Sequence, residues 1–186
     1  MEPDRRLAAI LTGLIAGTGR RGLTADEAHI LLKMYVRAKG LGVEWGREEV
    51  EKTLDWLYDR GVLTLRFERE RDEPFYTIVE PDAVDWIPAM PEFLDALDYS
   101  EKLFHGRHLT GKELRMLAYL SGVVEEHGLP RDEAAEAAVS LMIKGLVPRE
   151  KIKEKLGLSD EEIDELAEEL EVIIEAMGSG GEKTEA

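Results

Sequence analysis

Between residues 4 and 60, apolar side chains recur every three or four positions, in blocks separated by glycine. Leu7, Ile10, Leu11, Leu14 and Ile15 follow the i, i+3, i+4, i+7, i+8 spacing of one helix face, which predicts a helix over about residues 4–16. A second helix is expected from the Thr24 cap to about Lys39, with Ala28, Leu31, Leu32, Tyr35 and Ala38 inward. Thr24 and Glu27 form a T-x-x-E capping box that marks its start. After the connection GLGVEWG (residues 40–46), Val50, Leu54, Leu57 and Tyr58 predict a third helix over about 47–60, stopped by Gly61. The period then changes to two. Leu63, Leu65 and Phe67 alternate with Thr64, Arg66 and Glu68, a charged turn passes through Asp72, Glu73 and Pro74, and FYTIV returns. This is the pattern of an antiparallel hairpin.

Pro81, Pro88 and Pro91 punctuate EPDAVDWIPAMPE, which reads as a linker over residues 81–91. Beyond it every pattern is helical. Pro91 opens a helix with Phe93, Leu94 and Leu97 inward, and Thr110 with Glu113 opens another ending near Gly128. Pro130 and Pro148 open two more, ending at Gly145 and Gly157, and Ser159 with Glu162 caps the last. The expected fold is mainly α with a small β-hairpin: an N-terminal domain over 1–80, an acidic all-α bundle over 92–177, and a disordered tail over 178–186.

Composition narrows the function classes. The 186 residues include no Cys, Asn or Gln, so disulfides, thiol nucleophiles and cysteine-held zinc are excluded. The missing amides, with abundant Glu, Arg and Lys, match a thermophile's composition. They also remove the usual bidentate readers of adenine. No apolar run has the length of a membrane span and the start lacks a signal-peptide layout, so no membrane association is expected and a cytoplasmic location is. The net charge of −16 is uneven. Residues 1–40 carry seven Lys or Arg against four Asp or Glu, a net of +3, whereas residues 91–186 carry eleven against twenty-three, a net of −12. An acidic C-terminal half repels phosphate and favours protein partners.

Gly17, Gly19 and Gly22 match G-x-G-x-x-G, but a dinucleotide site needs a strand before the glycines and a helix opening directly from them. Here a helix precedes and the next helix starts only after Thr24, so no nucleotide cofactor is expected, nor any other.

The order of elements points elsewhere. REEVEKTLDWLYDRGVLTLRFERERDEPFYTIV resembles the third helix, wing strand, wing tip and return strand of the winged-helix superfamily, and the resemblance covers about residues 4–80. Residues 138–170 show a weaker, helix-turn-helix-like spacing. Winged-helix resemblance implies work in transcription, replication or chromosome maintenance. In that frame the first helix, the loop after it and the wing would touch a phosphate backbone. The cations available there are Arg5, Arg6, Arg20, Arg21, Lys33, Arg37 and Lys39, with Arg66, Arg69 and Arg71 on the wing.

The helices placed to probe a groove are anionic. The outward face of residues 47–60 carries Glu48, Glu51, Lys52, Asp55, Trp56 and Asp59. From Asp160 to Glu175 there are nine carboxylates and no Lys or Arg. Such faces suit polypeptide partners, with Trp45 and Trp56 as anchor candidates, unless Trp45 is a core side chain over which the glycine-rich connection folds. The last helix has an apolar stripe, Ile163, Leu166, Ala167, Leu170, Ile173, Ile174 and Met177, that either closes the bundle or pairs with a partner or a second copy as a homodimer.

The best constellation for catalysis is Asp98, Glu101, His105 and His108, metal-compatible ligands that Gly106 interrupts. No G-x-S-x-G, P-loop or H-E-x-x-H motif occurs. The expected function is therefore a non-catalytic regulator or adaptor of an information-processing complex, acting through protein–protein contact. A DNA-binding transcription regulator, an RNA- or ribosome-associated factor and, last, a small metal-dependent enzyme are the alternatives.

Overall fold

A computed structural model of the chain describes residues 2–69, 72–104, 150, 153–154 and 159–165. The chain divides into two compact units, Met1–Val36 with Gly42–His108, and Arg37–Leu41 with Leu109–Ala186. Its described residues are mainly helical with one two-stranded antiparallel sheet.

In the first unit, α1 (Arg5–Ala16) starts where the Asp4 carboxylate accepts the Arg6 and Leu7 amides at 2.8 and 3.4 Å. The helix is buried on every side. Leu7, Ile10, Leu11, Leu14 and Ile15 are at most 1% exposed, and so are Ala8 at their flank and Ala9 on the opposite face. α2 (Ala25–Lys39) follows the predicted capping box: the Thr24 amide donates to Glu27 Oε1 and the Glu27 amide to Thr24 Oγ1, both at 3.1 Å. α3 (Arg47–Asp59) buries Val50, Thr53, Leu54 and Leu57. It ends with Gly61 at φ +81°, its amide on the Tyr58 carbonyl and that of Val62 on the Leu57 carbonyl, the Schellman pattern the sequence placed there.

β1 (Leu63–Arg66) and β2 (Phe75–Ile78) pair antiparallel, Leu63 opposite Ile78 and Arg66 opposite Phe75. The alternation decays outward along the strand, and Phe67 is 69% exposed. Leu23, in the loop before α2, adds a bridge to Tyr76 of β2, with amide–carbonyl bonds of 3.0 and 2.7 Å. That contact explains Gly22. At φ +73° a Cβ there would lie 2.4 Å from the Tyr76 carbonyl oxygen.

Residues 81–91 and the next helix differ from the sequence reading. The expected linker is a run of tight turns, beginning with a 3-10 turn at Pro81–Ala83, that buries Val84 and Ile87. α4 (Pro91–Phe104), expected to open the second domain, packs along α1 in the first unit. Its Phe93, Ala96, Ser100, Leu103 and Phe104 are buried. The reason lies on α1: Gly13 and Gly17, four residues apart, let the two backbones approach. A Cβ on Gly13 would meet the Phe93 carbonyl oxygen at 2.4 Å, and one on Gly17 the Ser100 Cβ at 2.5 Å. The buried Ser100 hydroxyl donates to the Leu14 carbonyl at 2.6 Å across the same crossing.

Of the second unit, residues 160–165 are helical, and Ser159 and Glu162 exchange their expected capping bonds at 3.3 and 3.2 Å. Lys153 pairs with Asp160 at 2.7 Å. The helices predicted between Thr110 and Gly145, all of the one opened by Pro148 except residues 150 and 153–154, most of the helix-turn-helix-like segment and the tail lie outside the described residues.

Candidate functional site

Burying one stripe of α3 forces the other outward. With Val50, Thr53, Leu54 and Leu57 inside, Glu48, Glu51, Lys52, Asp55 and Asp59 are exposed and Trp56 is half-buried, as the wheel predicted. The cations within this helix are already engaged. Lys52 pairs with Glu48 at 3.0 Å, and Arg47 reaches Glu51 at 2.9 Å and Asp26 at 2.8 Å. Exposed pairs like these add little stability, about 0–1 kcal/mol each, but they leave the face with a carboxylate excess.

Trp56 does not stand alone. The tight turns after Pro81 carry Trp86 onto it, with ring centroids 6.2 Å apart and planes at 28°. A guanidinium covers each indole: Arg60 lies 5.0 Å from the Trp56 centroid and Arg5 lies 4.7 Å from that of Trp86. Arg5 is also held by Glu2 at 2.7 Å. The result is an Arg–Trp–Trp–Arg column beside the acidic α3 face, half-exposed at the indoles and exposed at the cations. Trp86 escapes sequence reasoning because residues 81–91 read as a linker, and Arg60 because it stands at the last position of the third predicted helix, with no signal of what it covers. The usable signal was composition: Val84, Trp86, Ile87 and Met90 are too apolar for a solvated connection.

Other predicted site residues are dispersed. Trp45 is 6% exposed, a core side chain and no surface anchor. Arg21, expected on a phosphate-facing patch, is buried. It bonds Glu27 through both nitrogens at 2.7 and 3.0 Å, donates to the Gly22 carbonyl at 2.7 Å and lies over Phe75 and Phe104. Arg66 is half-buried, with bonds to Glu68 and to the Arg21 carbonyl and its guanidinium 4.2 Å from the Phe75 ring centroid. Arg6, Arg20, Lys33, Lys39 and Arg69 are exposed and Arg37 is half-buried. Arg37 and Lys39 belong to the second unit. The basic patch is thus thinner than its residue count.

Ile163 is 1% exposed within the single chain, which removes it from the expected partner-facing stripe. Asp98 pairs with Lys102 at 3.0 Å and Glu101 is exposed. His105, His108, Arg71, Leu166, Leu170, Ile173, Ile174 and Met177 lie outside the described residues. Among the described residues no helix is long and apolar enough to cross a membrane. Comparison of the chain with protein-family models, curated proteins and solved structures gives no match.

One group at the edge of the α3 face titrates abnormally. The Tyr76 hydroxyl donates to Asp55 at 3.1 Å, and burial, reinforced by that carboxylate, pushes its pKa up to about 12 from 10.0. The neutral phenol is therefore the form favoured by the fold. Its contribution is complete below pH 10 and is lost as pH rises through about 12. Urea denaturation between those values should show a steeper loss of stability for the wild type than for Tyr76→Phe, and equal slopes would contradict the assignment.

Proposed function

We propose that the chain is a non-catalytic regulator or adaptor whose N-terminal unit is a winged helix adapted for protein contact. The support for the fold is the order α1, bridged loop, α2, α3 and hairpin, in which α3 takes the recognition-helix position. The observation that carries the functional reading is the surface of α3. In a groove reader this face would meet phosphates and base edges with free cations. Here its cations are spent on its own carboxylates, and Glu48, Glu51, Asp55 and Asp59 point outward beside a tryptophan pair. Tryptophan and arginine are the residues that most often dominate protein–protein binding energy. The burial of Arg21 adds to this reading by taking a central cation out of the expected phosphate-binding patch.

Fluorescence anisotropy with a labelled 20-base-pair duplex, over a salt series, tests this. The wild type should bind more weakly than about 10⁻⁴ M at physiological salt, the weak end of non-specific duplex affinity. Reversing two exposed cations, Arg20→Glu with Lys33→Glu, should change little. Tight binding with a steep salt slope that this double reversal abolishes would overturn the proposal in favour of a DNA-binding regulator.

A further inference from the structure

We propose that the Trp56–Trp86 pair is a seat for a cationic side chain, an arginine or lysine presented by a basic polypeptide segment of the partner. The inference rests on the protein-docking reading above and names the partner's chemistry.

Three observations lead to it. The stacked indoles are half-exposed and a guanidinium already lies over each ring, Arg60 on Trp56 and Arg5 on Trp86. The column therefore accepts planar cations, as ring quadrupoles require. Both arginines are themselves exposed, so they are exchangeable occupants. The surroundings are anionic: Asp55 precedes Trp56, Asp59 follows it by three positions on the same helix, and Asp85 precedes Trp86, all three exposed. Aromatic faces set among carboxylates select positive charge twice, through the rings and through the field. A phosphate backbone is repelled by the same carboxylates. A second copy of a chain with net charge −16 meets the same long-range repulsion.

In the free protein Arg5 and Arg60 act as internal stand-ins, keeping the indole faces covered until a partner's cation displaces one of them. Arg60 is the more readily displaced, because Arg5 is also tied to Glu2 at 2.7 Å.

The test is an NMR titration of the full chain, following the three indole N–H resonances. The probes are a 12-residue peptide of alternating Arg and Ala, its Glu–Ala counterpart and a 20-base-pair duplex. The Arg–Ala peptide should shift Trp56 and Trp86 and leave the buried Trp45 in place, while the Glu–Ala peptide shifts none. Asp59→Lys with Asp85→Lys, both at exposed positions, should weaken peptide binding by about tenfold, the effect of roughly 1.4 kcal/mol of lost attraction. Arg60→Ala should tighten it a few-fold by vacating the Trp56 face. Stationary Trp56 and Trp86 resonances overturn the cation seat, as do binding indifferent to the charge reversals and weaker binding by Arg60→Ala. If the duplex binds tightly, with Arg20→Glu and Lys33→Glu abolishing it, the wider docking reading falls as well. If neither peptide nor duplex binds, only the cation seat does.

Discussion

Alanine at Gly13 or Gly17 should destabilise the protein by about 2–4 kcal/mol each, although alanine is the better helix former by roughly 1 kcal/mol. Propensity loses because the space is already taken. At Gly13 the added Cβ would lie 2.4 Å from the Phe93 carbonyl oxygen and 3.0 Å from the Leu97 amide nitrogen, so α1 and α4 would have to separate as whole backbones. Separation opens gaps around Ile10, Leu14 and Ala96, which are completely buried. For a chain of this length each kcal/mol moves the melting temperature by about 2–4 °C, so either variant should melt roughly 4–16 °C lower. The two sites differ in their remedy. At Gly17 the nearest atoms are the Ser100 Cβ at 2.5 Å and, at 2.8 Å, both the Ser100 Oγ and the Glu101 backbone nitrogen, so Ser100→Gly should return the part of the loss that the serine side chain causes. At Gly13 the obstruction is a backbone carbonyl that no side-chain change removes. Thermal melts of Gly13→Ala, Gly17→Ala and the Gly17→Ala, Ser100→Gly double variant check this. Unchanged melting of both single variants would contradict the α1–α4 crossing.

The second large effect is expected at Arg21. Its side chain and that of Glu27 are each 4% exposed, and removing one partner strands a buried charge. Breaking such a pair costs about 3–5 kcal/mol. Arg21→Ala and Glu27→Ala should both fall in that range, with Glu27→Ala also losing the bond that its carboxylate accepts from the Thr24 amide. Arg21→Lys should rescue little, since one ammonium cannot reproduce two parallel bonds to the carboxylate and a third to the Gly22 carbonyl. Neutralising both members as Arg21→Met with Glu27→Gln keeps the capping geometry and strands no charge, so it should recover most of the stability. Arg20→Ala, one residue away and exposed, should stay within about 0.5 kcal/mol of wild type. Chemical denaturation decides. If Arg21→Ala behaves like Arg20→Ala, Arg21 belongs back on the surface.

These two positions also show what the sequence could and could not reveal. Local signals locate α1, α2, α3 and the hairpin closely, because caps and periods are written in neighbouring positions: the apolar spacing from Leu7 to Ile15, the Thr24–Glu27 exchange, Gly61. Partners across the fold carry no such mark. The period of α1 displays one apolar face, while Gly13, small enough to read as neutral, lies where α4 crosses the helix. Gly13 and Gly17 at four-residue spacing are the available clue, but Gly17 also falls in the G-x-G-x-x-G pattern, which draws the eye to a nucleotide loop instead.

Arg21 lies in a glycine-rich loop, where an arginine is ordinarily solvated. Its burial depends on Phe75 and Phe104, which are 54 and 83 positions later. The α3 face was legible, because outward positions follow directly from the buried stripe. Its tryptophan partner was not, since a proline-rich segment reads as a connection even when it packs.

In the proposed function α3 is held off nucleic acid by its own charge. Backbone amide NMR of the full chain, titrated with a 20-base-pair duplex at low salt, tests this at the helix itself. The amides of residues 47–59 should stay where they are at every duplex concentration. Shifts concentrated in that helix, dependent on the duplex sequence, would contradict it.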